Sequence, residues 1–204
     1  GTEATEGETV FLVQPVEEHL KAEGVRAVAR VGRFKGTARV GGSYGAGTVF
    51  GIDRLEYPKV GFYRRDFTPN SLGYLMNQLA LKRNGIIVSR EVLERSGLTI
   101  GDTLLIQGLV STSNQAVDFS IVGILDYWPT AYPQDGAIYV ANLDYIFEQT
   151  GGEKPWEVWL EVDDSVDYAT LAASIDNLGY VITSGTDARA LLNEARQKPE
   201  RTGL

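Results

Sequence analysis
Leu72, Leu75, Met76 and Leu79 recur at three- and four-residue steps, so the pattern predicts an amphipathic helix over Ser71–Leu81. Elsewhere the period drops to two. Val25, Ala27, Ala29 and Val31 alternate with Arg26 and Arg30, which predicts a half-buried strand over Val25–Phe34. Lys35–Val40 and Thr48–Ile52 read as two further strands joined by the glycine-rich turn Gly41–Gly47. Ile86–Val88 is a short apolar strand, and Arg90–Ser96 is a two-turn helix closed by Gly97. Asp102–Gln107 and Asp118–Asp126 form a hairpin around the polar loop Ser111–Gln115.

Both ends of the chain add helices. Gln14–Glu23 has Pro15 near a helix start and Gly24 just past its end. Residues 1–9 are expected to be disordered or extended, and Pro58 is expected to interrupt any helix in Gly51–Phe67. Ala137–Val140 predicts a strand and Leu143–Thr150 a helix ending at Gly151. Trp156–Val162 alternates, with Trp156 on the apolar face as a core residue and Trp159 on the polar face. Val166–Leu178 predicts a helix capped by Asp164 or Ser165, followed by a strand over Tyr180–Thr183. That order suggests a βαβ-like unit, after which Asp187–Lys198 forms a last helix stopped by Pro199. The fold class these elements make is α+β.

Composition narrows what such a fold is for. The 204 residues carry 27 acidic and 19 basic side chains, a formal charge of −8 that repels phosphate backbones and argues against nucleic acid. Cysteine is absent, which removes disulfides and thiolate metal sites. No apolar run reaches the roughly 18–20 residues that span a bilayer, and the acidic N-terminal segment has no signal-peptide pattern. The chain itself is therefore expected to be soluble.

Candidate chemistry is thin. Gly41–Gly45 spells G-x-S-x-G, but a strand follows Ser43 where a nucleophile elbow needs a helix. His19 lies before Ser43 in the chain and in a Glu-rich pattern that reads as a solvated helix face, so a serine hydrolase is disfavoured. The same glycines lack the spacing of a dinucleotide fingerprint, and no P-loop motif is present. Asp163 and Asp164 are adjacent, but a helix start accounts for them better than a metal does. Asp66 beside Arg64 and Arg65 reads as a surface ion-pair cluster before it reads as an anion site. No catalytic residue, metal or cofactor is assigned.

Four stretches, in order, resemble a known family: VFGIDRLEYPKVGFYRRDF (49–67), GIIVSREVLERSGLTIGDTLLI (85–106), DFSIVGILDYW (118–128) and DGAIYVANLDYIFEQTG (135–151). They are similar to the extracytoplasmic, periplasmic core domain of FtsX-like and MacB-type ABC transporter permeases. The resemblance implies a porter-like α/β subdomain of residues 8–62 and 152–198, into which a small β-rich, sabre-like subdomain of residues 63–151 is inserted. Residues 1–7 and 199–204 would be flexible ends leading to membrane helices outside this sequence. It implies no enzyme activity, a place outside the cell membrane, and an ABC ATPase subunit as partner through the whole permease. A lipid, peptide or protein would be contacted outside the membrane, and the full protein would form a homo- or heterodimer. Within that picture Tyr127, Trp128 and Tyr132 are the candidate partner contacts, since aromatic side chains held by Pro129 and Pro133 suit recognition. The competing use of Trp128 and Tyr132 is to plug the joint between subdomains. A free-standing binding module outside the cytoplasm is the alternative to a permease domain.

Overall fold
Seven strands form one mixed sheet in the computed structural model, which describes residues 15–39, 43–61, 63–64, 67–109, 115–131 and 133–182. They are β1 (Val25–Arg39), β2 (Ser43–Ile52), β3 (Gly85–Ser89), β4 (Thr103–Gln107), β5 (Ala116–Leu125), β6 (Ala137–Asn142) and β7 (Glu157–Val162). The helices are α1 (Tyr57–Val60), α2 (Leu72–Leu81), α3 (Arg90–Ser96), α4 (Leu143–Gln149) and α5 (Tyr168–Asn177). The expected α+β class is what the chain adopts.

β1 organises the sheet. Two strands were expected where it runs, but no residue between Phe34 and Lys35 breaks pairing, and both edges of β1 are occupied. β2 returns along one edge from Val31↔Ile52 to Arg39↔Ser43, so Gly45 and Gly47 lie inside a strand and not in a turn. Along the other edge lie β7, paired with Val25–Val31, and β4, paired with Thr37–Arg39. The sheet order is β2-β6-β3-β5-β4-β1-β7, with β2 also on β1, so the six strands other than β7 close into a ring. Closure leaves none of those six with an open edge, which is the surest protection against unwanted strand pairing. β7 stands outside the ring as an extension on β1.

Alternation along the ring strands builds two cores. The first draws on all six: Ala38, Val49, Ile86, Val88, Leu104, Ile106, Val117, Phe119, Tyr139 and Ala141 are buried together, as the inner face of a closed ring requires. The intervening residues Phe50, Ile52, Ile87, Ile138 and Val140 form the second, against Leu75, Met76 and Leu79 of α2. A one-residue register shift between Ile86 and Ile87 reverses the alternation of β5: Phe119 and Ile121 face the first core, Val122 and Leu125 the second. Close approach explains Gly47, where a Cβ would stand 2.0 Å from the Ala137 carbonyl oxygen across the β2–β6 pair.

The predicted helix on Ser71–Leu81 is α2, and Ser71 caps it by accepting from the Tyr74 N–H at 3.1 Å. Pro58 sits in the first turn of α1, where no backbone donor is needed, and so starts a helix instead of interrupting one. The expected helix over Gln14–Glu23 is a short 3₁₀ turn, Val16–Lys21. α5 is capped by Asp167, whose carboxylate accepts from the Thr170 N–H at 2.7 Å, not by Asp164 or Ser165. Residues 180–182 carry no strand, so the βαβ-like reading of 156–183 finds no second strand among the described residues. The expected helix over Asp187–Lys198 lies outside them. Strands from 25–52, 85–142 and 157–162 share one hydrogen-bonded sheet, and the β2–β6 and β1–β4 pairs join residues before position 63 to residues between 63 and 151.

Candidate interaction surface
The aromatic loop after β5 is held at its root by two backbone bonds: the N–H groups of Asp126 and Tyr127 both donate to the Phe67 carbonyl, at 2.8 and 3.0 Å. Arg90 at the start of α3 adds a two-pronged contact to Asp126, Nε to Oδ1 at 2.6 Å and Nη2 to Oδ2 at 3.1 Å. Beyond that root the chain turns sharply. The Ala131 N–H donates to the Trp128 carbonyl at 3.0 Å, with Pro129 second in the turn and Thr130 third at φ 63°. Proline cannot take positive φ, so this is a type II turn, whose third position favours glycine or asparagine. Thr130 is the one non-glycine residue at positive φ among the described residues. For a β-branched side chain that conformation costs about 1 kcal/mol or more.

The turn drives Trp128 inward. Its indole is 1% exposed and stacks on Tyr57 of α1, with ring centroids 5.0 Å apart and planes 13° from parallel. Phe50 of β2 lies 6.3 Å from Trp128, and Trp159 of β7 lies 5.7 Å from Tyr57 on the other side. Trp159, on the polar face of its strand, is thus covered by α1. Arg33 of β1 ties the group together. Its Nε donates to Glu157 Oε1 at 3.0 Å, its Nη2 to Thr130 Oγ1 at 3.0 Å, and its guanidinium carbon sits 5.0 Å from the Phe50 ring centre. Glu157 also accepts from Trp159 Nε1 at 3.0 Å. Two polar atoms in this cluster are buried without a hydrogen-bond partner, Tyr57 Oη and Trp128 Nε1. Burial alone pushes the Tyr57 phenol far above its usual range, so it stays protonated.

Of the three candidate contact residues, Tyr127 is 48% exposed and Trp128 is in the core, while Tyr132 lies outside the described residues. Tyr127 does not stand alone. Phe67 is 6.2 Å from it and Tyr63 is 5.9 Å from Phe67 edge-on, with the Arg64 guanidinium carbon 5.8 Å from the Phe67 ring centre. Asp66 and Arg65 lie outside the described residues. Trp159 was placed by the sequence on a polar strand face, but its link to Arg33 and Tyr57 was not foreseen, because nothing local links residues 33, 57, 128 and 159. The one local signal was Pro129, which suits the second position of a turn.

The remaining candidates separate. Ser43 begins β2 opposite Arg39, while His19 precedes Val25 at the other end of the same fifteen-residue strand. His19 is not on a solvated face: it is buried, its Nδ1 lies 2.9 Å from the Val16 carbonyl oxygen, and its ring stacks 4.0 Å from Tyr180. Asp163 accepts from the N–H and hydroxyl of Ser165 at 3.0 and 2.8 Å and pairs with Arg26. Those Ser165 bonds first, then Arg26, hold its carboxyl down at about 2. It closes a turn and fastens β1. A depression of about 210 Å³ opens between β1, β2 and β4, lined by Lys35, Thr37, Gln107 and Asp135 among others. No helix among the described residues is long and apolar enough to cross a membrane.

No curated protein sequence matches the chain. Among solved structures, the fold is similar to the extracellular domain of the noncanonic ABC-type transporter YknZ from Gram-positive bacteria. That likeness has a TM-score of 0.52 at 14% identity, over 89% of this chain and 81% of that one. It is also similar to the periplasmic region of MacB from Actinobacillus actinomycetemcomitans, with a TM-score of 0.50 at 9% identity, over 87% and 78%. At such identities the likeness speaks for the fold. The sequence itself carries the family: residues 3–178 match the MacB-like periplasmic core domain, and the chain belongs to that family of ABC transporter permease domains.

Proposed function
We propose that this domain is a non-enzymatic mechanical element that contacts a lipid, peptide or protein partner outside the membrane. It would pass motion between that partner and the membrane part of its permease, with ATP hydrolysed on a separate ABC subunit. The observation that carries the reading is the aromatic turn. Tyr127 is exposed at its root, and three residues on, the same loop is wired through Thr130 and Arg33 to Glu157 on β7. A push on Tyr127 therefore has a short path into β1 and β7, along the loop backbone to Thr130 and through the Thr130–Arg33–Glu157 bonds.

The porter-like and sabre-like division, 8–62 with 152–198 against 63–151, belongs to the same proposal. Its joint would run along β1, whose first half pairs with β7 and whose last residues pair with β4. The test uses the whole permease with its ATPase in vesicles. Tyr127→Ala is expected to lower transport several-fold while ATP hydrolysis persists. Transport at the unaltered rate, with the variant inserted normally, overturns the partner-contact reading.

A further inference from the structure
The geometry points to a latch: the Trp128–Ala131 turn opens while the sheet stays folded, and in opening it releases Trp128 from Tyr57 and Arg33 from Thr130. Three independent features favour that opening. Thr130 is held at φ 63°, a conformation that the open, solvated loop does not need. Tyr57 Oη and Trp128 Nε1 are both buried without a partner, and both gain water when the rings part. The latch is also small. Within the turn, the closed state rests on the single backbone bond from Ala131 to Trp128, the Arg33–Thr130 bond and the Trp128 stack.

What keeps it shut is equally specific. Trp128 fills the space between Phe50 and Tyr57, and the root of the loop is clamped at Phe67 and Arg90. Opening is therefore limited to the residues after Tyr127. Because Arg33 serves Thr130 and Glu157 together, release of the turn leaves it Glu157 and the Phe50 ring, and Tyr57 of α1 loses the ring stacked on it. β7 keeps its backbone pairing with β1 over Val25–Val31 in both states, so what the turn changes is the side-chain cover between β7 and α1. A strained turn beside unsatisfied buried groups is where local opening is expected to begin.

The latch is tested on this chain alone, so its failure is separate from any failure of the transport reading. The measurement is hydrogen exchange by NMR at the three indole N–H groups, assigned with Trp156→Phe and Trp159→Phe. Relative to its own intrinsic rate, the Trp128 indole is expected to be at least tenfold less protected than the backbone amides of Ile87 and Val140, to a degree insensitive to low denaturant. Thr130→Asn tolerates positive φ and keeps an acceptor for Arg33, so it should slow that exchange by about threefold or more. Tyr57→Phe removes a hydroxyl hydrated only in the open state and should slow it as well. Slowing in either variant supports the latch. Trp128 protection equal to that of Ile87 and Val140, or exchange unslowed in both variants, overturns it.

Discussion
Trp128 and Tyr57 show how one contact can be both the tightest packing in a region and its weak point. The indole is 1% exposed and the phenol equally so, yet each carries a polar atom with no partner. Trp128→Ala is expected to cost about 3–5 kcal/mol, the usual penalty for emptying a core site of that size. Tyr57→Phe should move the other way, gaining about 1 kcal/mol by deleting an unsatisfied hydroxyl. Urea unfolding of both variants gives the two signs directly. Asp163 makes a prediction in pH. Its folded pKa, about 2, is below the roughly 3.9 of an unfolded aspartate, so its contribution to stability is present above about pH 4 and is lost as pH falls through 2. Carboxyl NMR should find that midpoint, and Ser165→Ala should raise it.

Elements differ in how far their sequence foretold them, and the difference is physical. α2 was legible because its stripe and its Ser71 cap are local, and Ser71→Ala should lower stability by about 1 kcal/mol in the same unfolding experiment. α3 was legible for the same reason, with Gly97 at φ 70° as its stop. β1 was read as two strands because alternation says nothing about length; its continuity comes from partners on both edges, which lie far away in sequence. Burial of Trp128 was among the readings of the sequence, but Tyr57 as its cover was hidden, since it stands seventy-one positions before it. Pro58 misled because a proline stops a helix from within but starts one from its first turn. At Gly47 the ring leaves no room, so Gly47→Ala should force β2 and β6 apart and cost on the order of 1–3 kcal/mol, read by thermal unfolding.

As a whole the molecule is a closed ring of six strands with β7 appended along β1 and α5 tied through Ser174 to Glu23 just before β1, and it belongs to the MacB-like periplasmic core domains. Family membership was legible in four ordered stretches; closure of the ring was not, because it rests on pairings such as Thr37↔Gln107 that no local motif announces. The proposed function makes this body a transmitter, with relative movement between α5 and the α3 side of the ring. These 204 residues hold no cysteine, so in a complex freed of cysteine elsewhere spin labels go to exposed positions on each, by Glu94→Cys on α3 and Ala173→Cys on α5. In the whole permease with its ATPase, pulsed electron resonance should give different label-to-label distance distributions in the nucleotide-free and ATP-bound states. The same distribution in both states, in a complex that still transports, contradicts the account.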